Sequence, residues 1–154
     1  MNNLELYKAL VYASLLIRTK EEEEFAENLA LSMCEDVCLF IDTVKYEKSR
    51  GVGKTSFFCH LARSLSKDKA NKVLYVSLFD AQAKKARAMI KDETVDVIGP
   101  YDVKKETSLI GKNYTHIIFD DVDINKYEKI KKDINKEAHV FGVITVNLNK
   151  RREK

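Results

Sequence analysis

Residues 47–55 read Glu47-Lys48-Ser49-Arg50-Gly51-Val52-Gly53-Lys54-Thr55, and the last five decide how the chain is read. They close the pattern G-x-x-x-x-G-K-[ST] of a phosphate-wrapping loop, with Lys48 where the first glycine usually stands. Phosphate oxygens need many donors in a small space. Glycines let successive backbone N–H groups turn inward, and a helix starting near Gly53 adds its unpaired N–H groups and positive dipole end. Lys54 would then reach the β- and γ-phosphates, and the Thr55 hydroxyl would hold Mg²⁺. Ser49, Arg50, Gly51, Val52, Gly53 and Ser56 complete the expected cradle. The bland alternative is a turn that merely precedes a helix, so the flanking sequence matters.

Before the loop, VCLFIDTV (37–44) is a short apolar, β-branched run that reads as a strand. After it, Phe57, Phe58, Leu61, Ala62 and Leu65 fall at helical spacing. The predicted order is therefore strand, glycine loop, helix, the context in which the short motif has meaning. Further out, KVLYVSL (72–78) reads as a second strand, followed by a helix from about Ala81 to Ile90. TVDVIG (94–99) is a weaker strand ended by Pro100, and 101–114 is irregular. THIIFDD (115–121) is a buried strand ending in two carboxylates. Tyr127, Ile130 and Ile134 mark a lysine-rich helix, and HVFGVITVN (139–147) is a last strand.

Upstream, residues 3–17 set Leu4, Tyr7, Val11 and Leu15 on one helical stripe, with Leu6, Leu10 and Ile17 beside it. Residues 21–33 form a second helix with Phe25, Leu29 and Met33 inward; its opening run, Glu21 to Glu24, reads as a solvated first turn. Near-continuous apolar strands suit a parallel sheet covered on both faces. The expectation is an α/β P-loop NTPase, a three-layer sandwich with a mainly parallel sheet of about five strands. One domain is expected: N-terminal helices over 1–36, a nucleotide-binding core over 37–148 and a basic tail over 149–154.

Bulk properties agree. The chain has 154 residues, enough for one core, and its 45% hydrophobic content separates it from disordered chains. Net charge is +3 but uneven: residues 1–50 carry 6 Lys+Arg against 10 Asp+Glu, and residues 51–154 carry 21 against 14. The later part suits a polyanion, or is simply a solvated lysine-rich surface. Cys34 and Cys38 are not followed by a second Cys or His pair at zinc-finger spacing. An odd cysteine count, no secretory leader pattern and no long apolar run lead to the expectation of a cytoplasmic chain without a membrane span.

The paired acids supply the expected second half of the site. Asp120 would be the metal carboxylate, and Asp121 stands where many ATP hydrolases carry a Glu that polarises the attacking water. Asp is one methylene shorter. At the end of the last strand, Thr145 and Asn147 either sense the γ-phosphate or cap the strand. Other phosphate-loop classes fit less well. A regulatory GTPase wants D-x-x-G after the metal strand, whereas Asp120 is followed by Asp121-Val122-Asp123. A small-molecule kinase wants an arginine-rich lid, and no such segment precedes the tail.

The loop Lys48-Ser49-Arg50-Gly51-Val52-Gly53-Lys54-Thr55 resembles the variant Walker A of the large terminase subunit, the DNA-packaging motor of tailed phages. That family often reads S-R-Q-x-G-K-T without the first glycine; Gly51 departs from the Gln. VLYVSLFDAQAKKAR, SLIGKNYTHIIFDDVD and VITVN are similar to the segments that follow in terminases, so the resemblance covers about residues 37–148. It implies ATP and Mg²⁺ as cofactors and Arg50 as a γ-phosphate contact from within the same subunit. It also implies double-stranded DNA held through its phosphates, and a homo-oligomer or a partner subunit that completes the motor. Three departures stand out: Asp121 for the catalytic Glu, no clear adenine-reading glutamine upstream, and no nuclease-domain sequence among these residues. Two alternatives stay open. One is an AAA+-like helicase-loader ATPase, which would want a helical lid where only KRREK stands. The other is a nucleotide-binding interaction module with weak or no hydrolysis.

Overall fold

The structure, a computed structural model, describes residues 3–49, 51–99, 112–134 and 136–146. Arg50, Pro100, residues 101–111, Asn147 and the basic tail lie outside those residues. The described elements run α1 (Asn3–Ser14), α2 (Lys20–Cys34), β1 (Leu39–Asp42), α3 (Thr43–Lys48) and α4 (Lys54–Ser66). They continue with β2 (Val73–Ser77), α5 (Asp80–Ile90), β3 (Asp96–Ile98), β4 (His116–Asp123), α6 (Ile124–Asp133) and β5 (His139–Val146). All five strands are parallel, in the order β1-β5-β4-β2-β3. The last strand in the chain thus lies between the strand that leads to the glycine loop and the strand that carries the two acids.

Strand alternation divides the sheet into two apolar faces. Ile41, Val73, Tyr75, Val97, Ile118, Phe141 and Val143 share one core with α1, α2, α4 and α5. Leu74, Val76, Ile98, Ile117, Phe119 and Ile144 form the other with Ile130 of α6. This arrangement is the helix-covered parallel sheet that the near-continuous apolar runs predict.

Three local expectations are corrected. The strand drawn over 37–44 stops at Asp42, whose carboxylate accepts from the Lys45 N–H at 2.8 Å and caps the short helix α3. An Asp at that position draws the chain into a helical turn more strongly than the β-branched Thr43 and Val44 hold it extended. The order is therefore strand, short helix, loop, helix. Second, Glu22 is buried rather than solvated. It closes a capping box with Thr19 and accepts from the Arg18 N–H at 2.7 Å and the Arg18 guanidinium at 3.1 Å. Third, Leu6 and Leu10 face outward, while Val11 and Leu15 carry the inward stripe of the first helix and its end.

Candidate functional site

The loop lies between α3 and α4. Ser49 ends α3 as its C-cap and is buried, and Gly51 and Gly53 both take left-handed φ values, +80° and +91°. Only glycine adopts two such values at no steric cost, which explains the spacing of this pair. Gly53 is the N-cap of α4 and offers no side chain to cap it. Lys54, Thr55 and Ser56 open α4 at its positive dipole end. Val52 is buried, and its carbonyl accepts from the Leu16 N–H at 2.8 Å. This bond ties the α1–α2 connection to the loop.

The sheet brings the two acids to this helix end. Thr55 Oγ1 donates to Asp120 Oδ2 at 2.9 Å, and Lys54 Nζ meets Asp121 Oδ2 at 3.1 Å. Lys54 Nζ also donates to Ser49 Oγ at 2.8 Å and to the Ser49 carbonyl at 3.3 Å. The rings of Phe25 and Tyr46 flank the ammonium with centroids at 5.3 and 5.4 Å. Lys54, Asp120 and Asp121 are all buried.

Consecutive strand residues normally point to opposite faces, so two adjacent acids should not both reach one helix. A bulge resolves this. The β4–β5 register runs Phe119 to Gly142 and then Val122 to Ile144, which leaves one extra residue in β4. Asp121 takes a left-handed φ of 56° there. Asp120 keeps the face of Tyr75, Val122 returns to the opposite face, and Asp121 is redirected toward Lys54. Gly142 makes the bulge possible: with φ at +129°, a Cβ there would overlap the Phe119 carbonyl oxygen.

Charge follows from burial. Burial pushes the Asp121 carboxyl up to about 6, the Lys54 ammonium pulls against it, and neighbouring Asp120 adds to the rise. Burial also raises Asp120, opposed by the hydroxyls of Tyr75 and Thr55 and by Lys54. The Tyr75 hydroxyl donates to Asp120 Oδ2 at 2.6 Å, and Cys59 Sγ lies 3.7 Å from that hydroxyl. Burial pushes the Cys59 thiol up to about 11 and the Cys38 thiol to about 12, so both are unreactive packing groups.

Several buried side-chain oxygens here have no hydrogen-bond partner among the described residues: Ser77 Oγ, Gln82 Oε1, Asp120 Oδ1, Asp121 Oδ1 and Thr145 Oγ1. By strand alternation Ser77, Asp120 and Thr145 share the loop's face at the carboxyl ends of β2, β4 and β5, and the bulge brings Asp121 to it. Buried oxygens left unpaired cost about 1–3 kcal/mol each, a cost that bound water or a ligand at this end of the sheet would relieve. The carboxyl edge of a parallel sheet is where open α/β folds place ligands. Among the described residues no three His, Cys, Asp or Glu side chains converge on a metal position. The donors present, one hydroxyl and one carboxylate, suit a hard cation that keeps phosphate and water oxygens for its other positions.

Of the expected site residues, Ser49, Gly51, Val52, Gly53, Lys54, Thr55 and Ser56 form the loop and helix end, with Asp120 and Asp121 against it. Thr145 lies on the same face. Arg50 and Asn147 are outside the described residues. Sequence reasoning missed Tyr75, Gly142, and the Phe25 and Tyr46 rings. Two signals were present: a hydroxyl-bearing aromatic in an otherwise aliphatic run, and a glycine inside an apolar strand. A cavity of about 290 Å³ opens between α2, β1 and α3, with Lys48 and Ser49 on its wall. Another, of about 500 Å³ between α5 and β3, holds none of these side chains. Compared with known protein families, curated proteins and solved structures, the chain finds no significant match.

Proposed function

We propose that the chain is a P-loop NTPase that binds ATP with Mg²⁺ at the loop ending in Lys54 and Thr55. One observation carries the reading: Thr55 and Asp120, 65 residues apart, meet at 2.9 Å. Adjacent Lys54 and Asp121 form a buried pair. A chance turn before a helix gives no reason for two consecutive acids to fold back onto that helix through a bulge. In this reading the amides of the loop and of α4 hold the phosphates, and Lys54 exchanges Ser49 and Asp121 for phosphate oxygens. Thr55 and Asp120 supply the protein oxygens for Mg²⁺, which offsets charge on the phosphates. Asp121, released from Lys54, orients the attacking water, and Thr145 with Asn147 responds to the γ-phosphate.

The terminase resemblance supports a finer reading: an ATPase that moves double-stranded DNA, with Arg50 acting on the γ-phosphate. DNA contact would be through phosphates along the lysine-rich second half. A homo-oligomer or partner subunit would complete the motor, and its location would be cytoplasmic. Among the described residues no helix is long and apolar enough to cross a membrane. A second reading, a nucleotide-binding module without turnover, is favoured by one contact. Asp121 is one methylene shorter than the usual Glu and is held by Lys54 at 3.1 Å.

Titration of the purified chain with ATP tests the phosphate site. Lys54→Ala is expected to abolish binding, and unchanged affinity would remove the assignment. ATP hydrolysis measured with and without double-stranded DNA then separates the two readings. DNA-stimulated turnover supports the motor; ATP binding without turnover supports the module.

A further inference from the structure

We infer that Tyr75 is the positioning residue of the cation site: its hydroxyl, with that of Thr55, occupies one oxygen of Asp120 and leaves the other for a divalent ion. The inference rests on the nucleotide reading and extends it to a residue outside both sequence motifs. Tyr75 lies in the middle of β2, fully buried, beside β4. Its neighbours Leu74 and Val76 face the other core, so its ring points toward α4 and the loop. The hydroxyl donates to Asp120 Oδ2 at 2.6 Å. Thr55 Oγ1 donates to the same oxygen at 2.9 Å. Asp120 Oδ1, equally buried, has no partner among the described residues.

This pattern is unbalanced for a structural carboxylate. A fully buried acid held only for stability would have donors on both oxygens, because each unpaired oxygen carries a desolvation cost. Here two donors share one oxygen and the second is bare. A hard cation at Oδ1 completes the set. Thr55 would offer its hydroxyl oxygen to such an ion, and Tyr75 would be the donor that holds the carboxylate's rotamer. Partners that orient metal ligands in this way typically contribute 10- to 100-fold to metal affinity.

The test is calorimetric titration of the full chain with ATP, in EDTA and at stepped Mg²⁺ concentrations, for the parent and Tyr75→Phe. Phe keeps the ring and removes only the hydroxyl. The expected result is ATP affinity in EDTA within about two-fold of the parent, with the Mg²⁺ concentration for half-maximal enhancement raised about ten-fold or more. A purely structural tyrosine would lower the melting temperature and shift both affinities together, and that outcome overturns the inference. Equal Mg²⁺ dependence in parent and variant overturns it alone and leaves the nucleotide reading standing. A parent that binds no ATP overturns both. Asp120→Asn and the double variant give a second, independent check. Adding Tyr75→Phe to Asp120→Asn should change Mg²⁺ dependence by less than about two-fold, because Tyr75 acts through Asp120. A further loss in the double variant overturns the inference.

Discussion

Lys54 illustrates how one side chain can be legible in kind and not in setting. The motif names it as a phosphate ligand, and in the fold its ammonium is held by Asp121, Ser49 and two aromatic rings. Phe25 and Asp121 come from α2 and β4, far from the loop in the chain, so the text around the motif could not reveal them. The same burial sets a pH response. Asp121 binds its proton more tightly in the folded chain, at about 6, than the ordinary value of 3.8. Between about pH 4 and 6 the native state therefore holds more protons than the unfolded one, and this carboxyl's contribution to stability falls as pH rises. Glu22 and Asp92 act in the opposite sense, because hydrogen bonds hold both carboxyls low. The quantity to measure is therefore the difference in melting temperature between parent and Asp121→Asn in metal-free buffer. The variant should gain stability relative to the parent as pH rises across that window. A constant difference would show that burial does not raise this group.

At the scale of elements, the bulge in β4 is the device that makes a site from two adjacent acids. Gly142 in β5 is its counterpart, since only a residue without a Cβ fits against Phe119 with φ at +129°. Gly142→Ala should destabilise the chain by about 2–3 kcal/mol in urea denaturation, the range of such backbone strain plus a forced shift of β5. It should also weaken ATP binding, because the acids move with the bulge. A stable variant with parental ATP affinity would show that the bulge does not need this glycine. The helices teach a related lesson. The lower-level rules of capping decided α3 and the start of α2, where Asp42 and Glu22 each stabilise a first turn. Both residues were visible in sequence, but a β-branched run and a run of four glutamates outweighed them in the reading.

At the scale of the molecule, the sheet order places β5 between β1 and β4, so Thr145 sits between the loop's strand and the acids' strand. Whether the whole acts on DNA is open to a salt test. If the lysine-rich half tracks a phosphate backbone, affinity for double-stranded DNA of any sequence should fall by orders of magnitude between about 50 and 200 mM salt. A flat response would remove the DNA-translocating reading and keep the nucleotide site. The sequence by itself determined the fold class, since long apolar runs alternating with helical spacing have few solutions besides a covered parallel sheet. It also determined the loop and its helix, because glycine spacing, Lys54 and Thr55 are local features of four or five residues. Only the tertiary structure decided that Asp120 and Asp121 face the same helix, that Tyr75 holds one of them and that Gly142 permits it. Those facts depend on strand register and on one extra residue in β4, and register is a relation between segments distant in the chain.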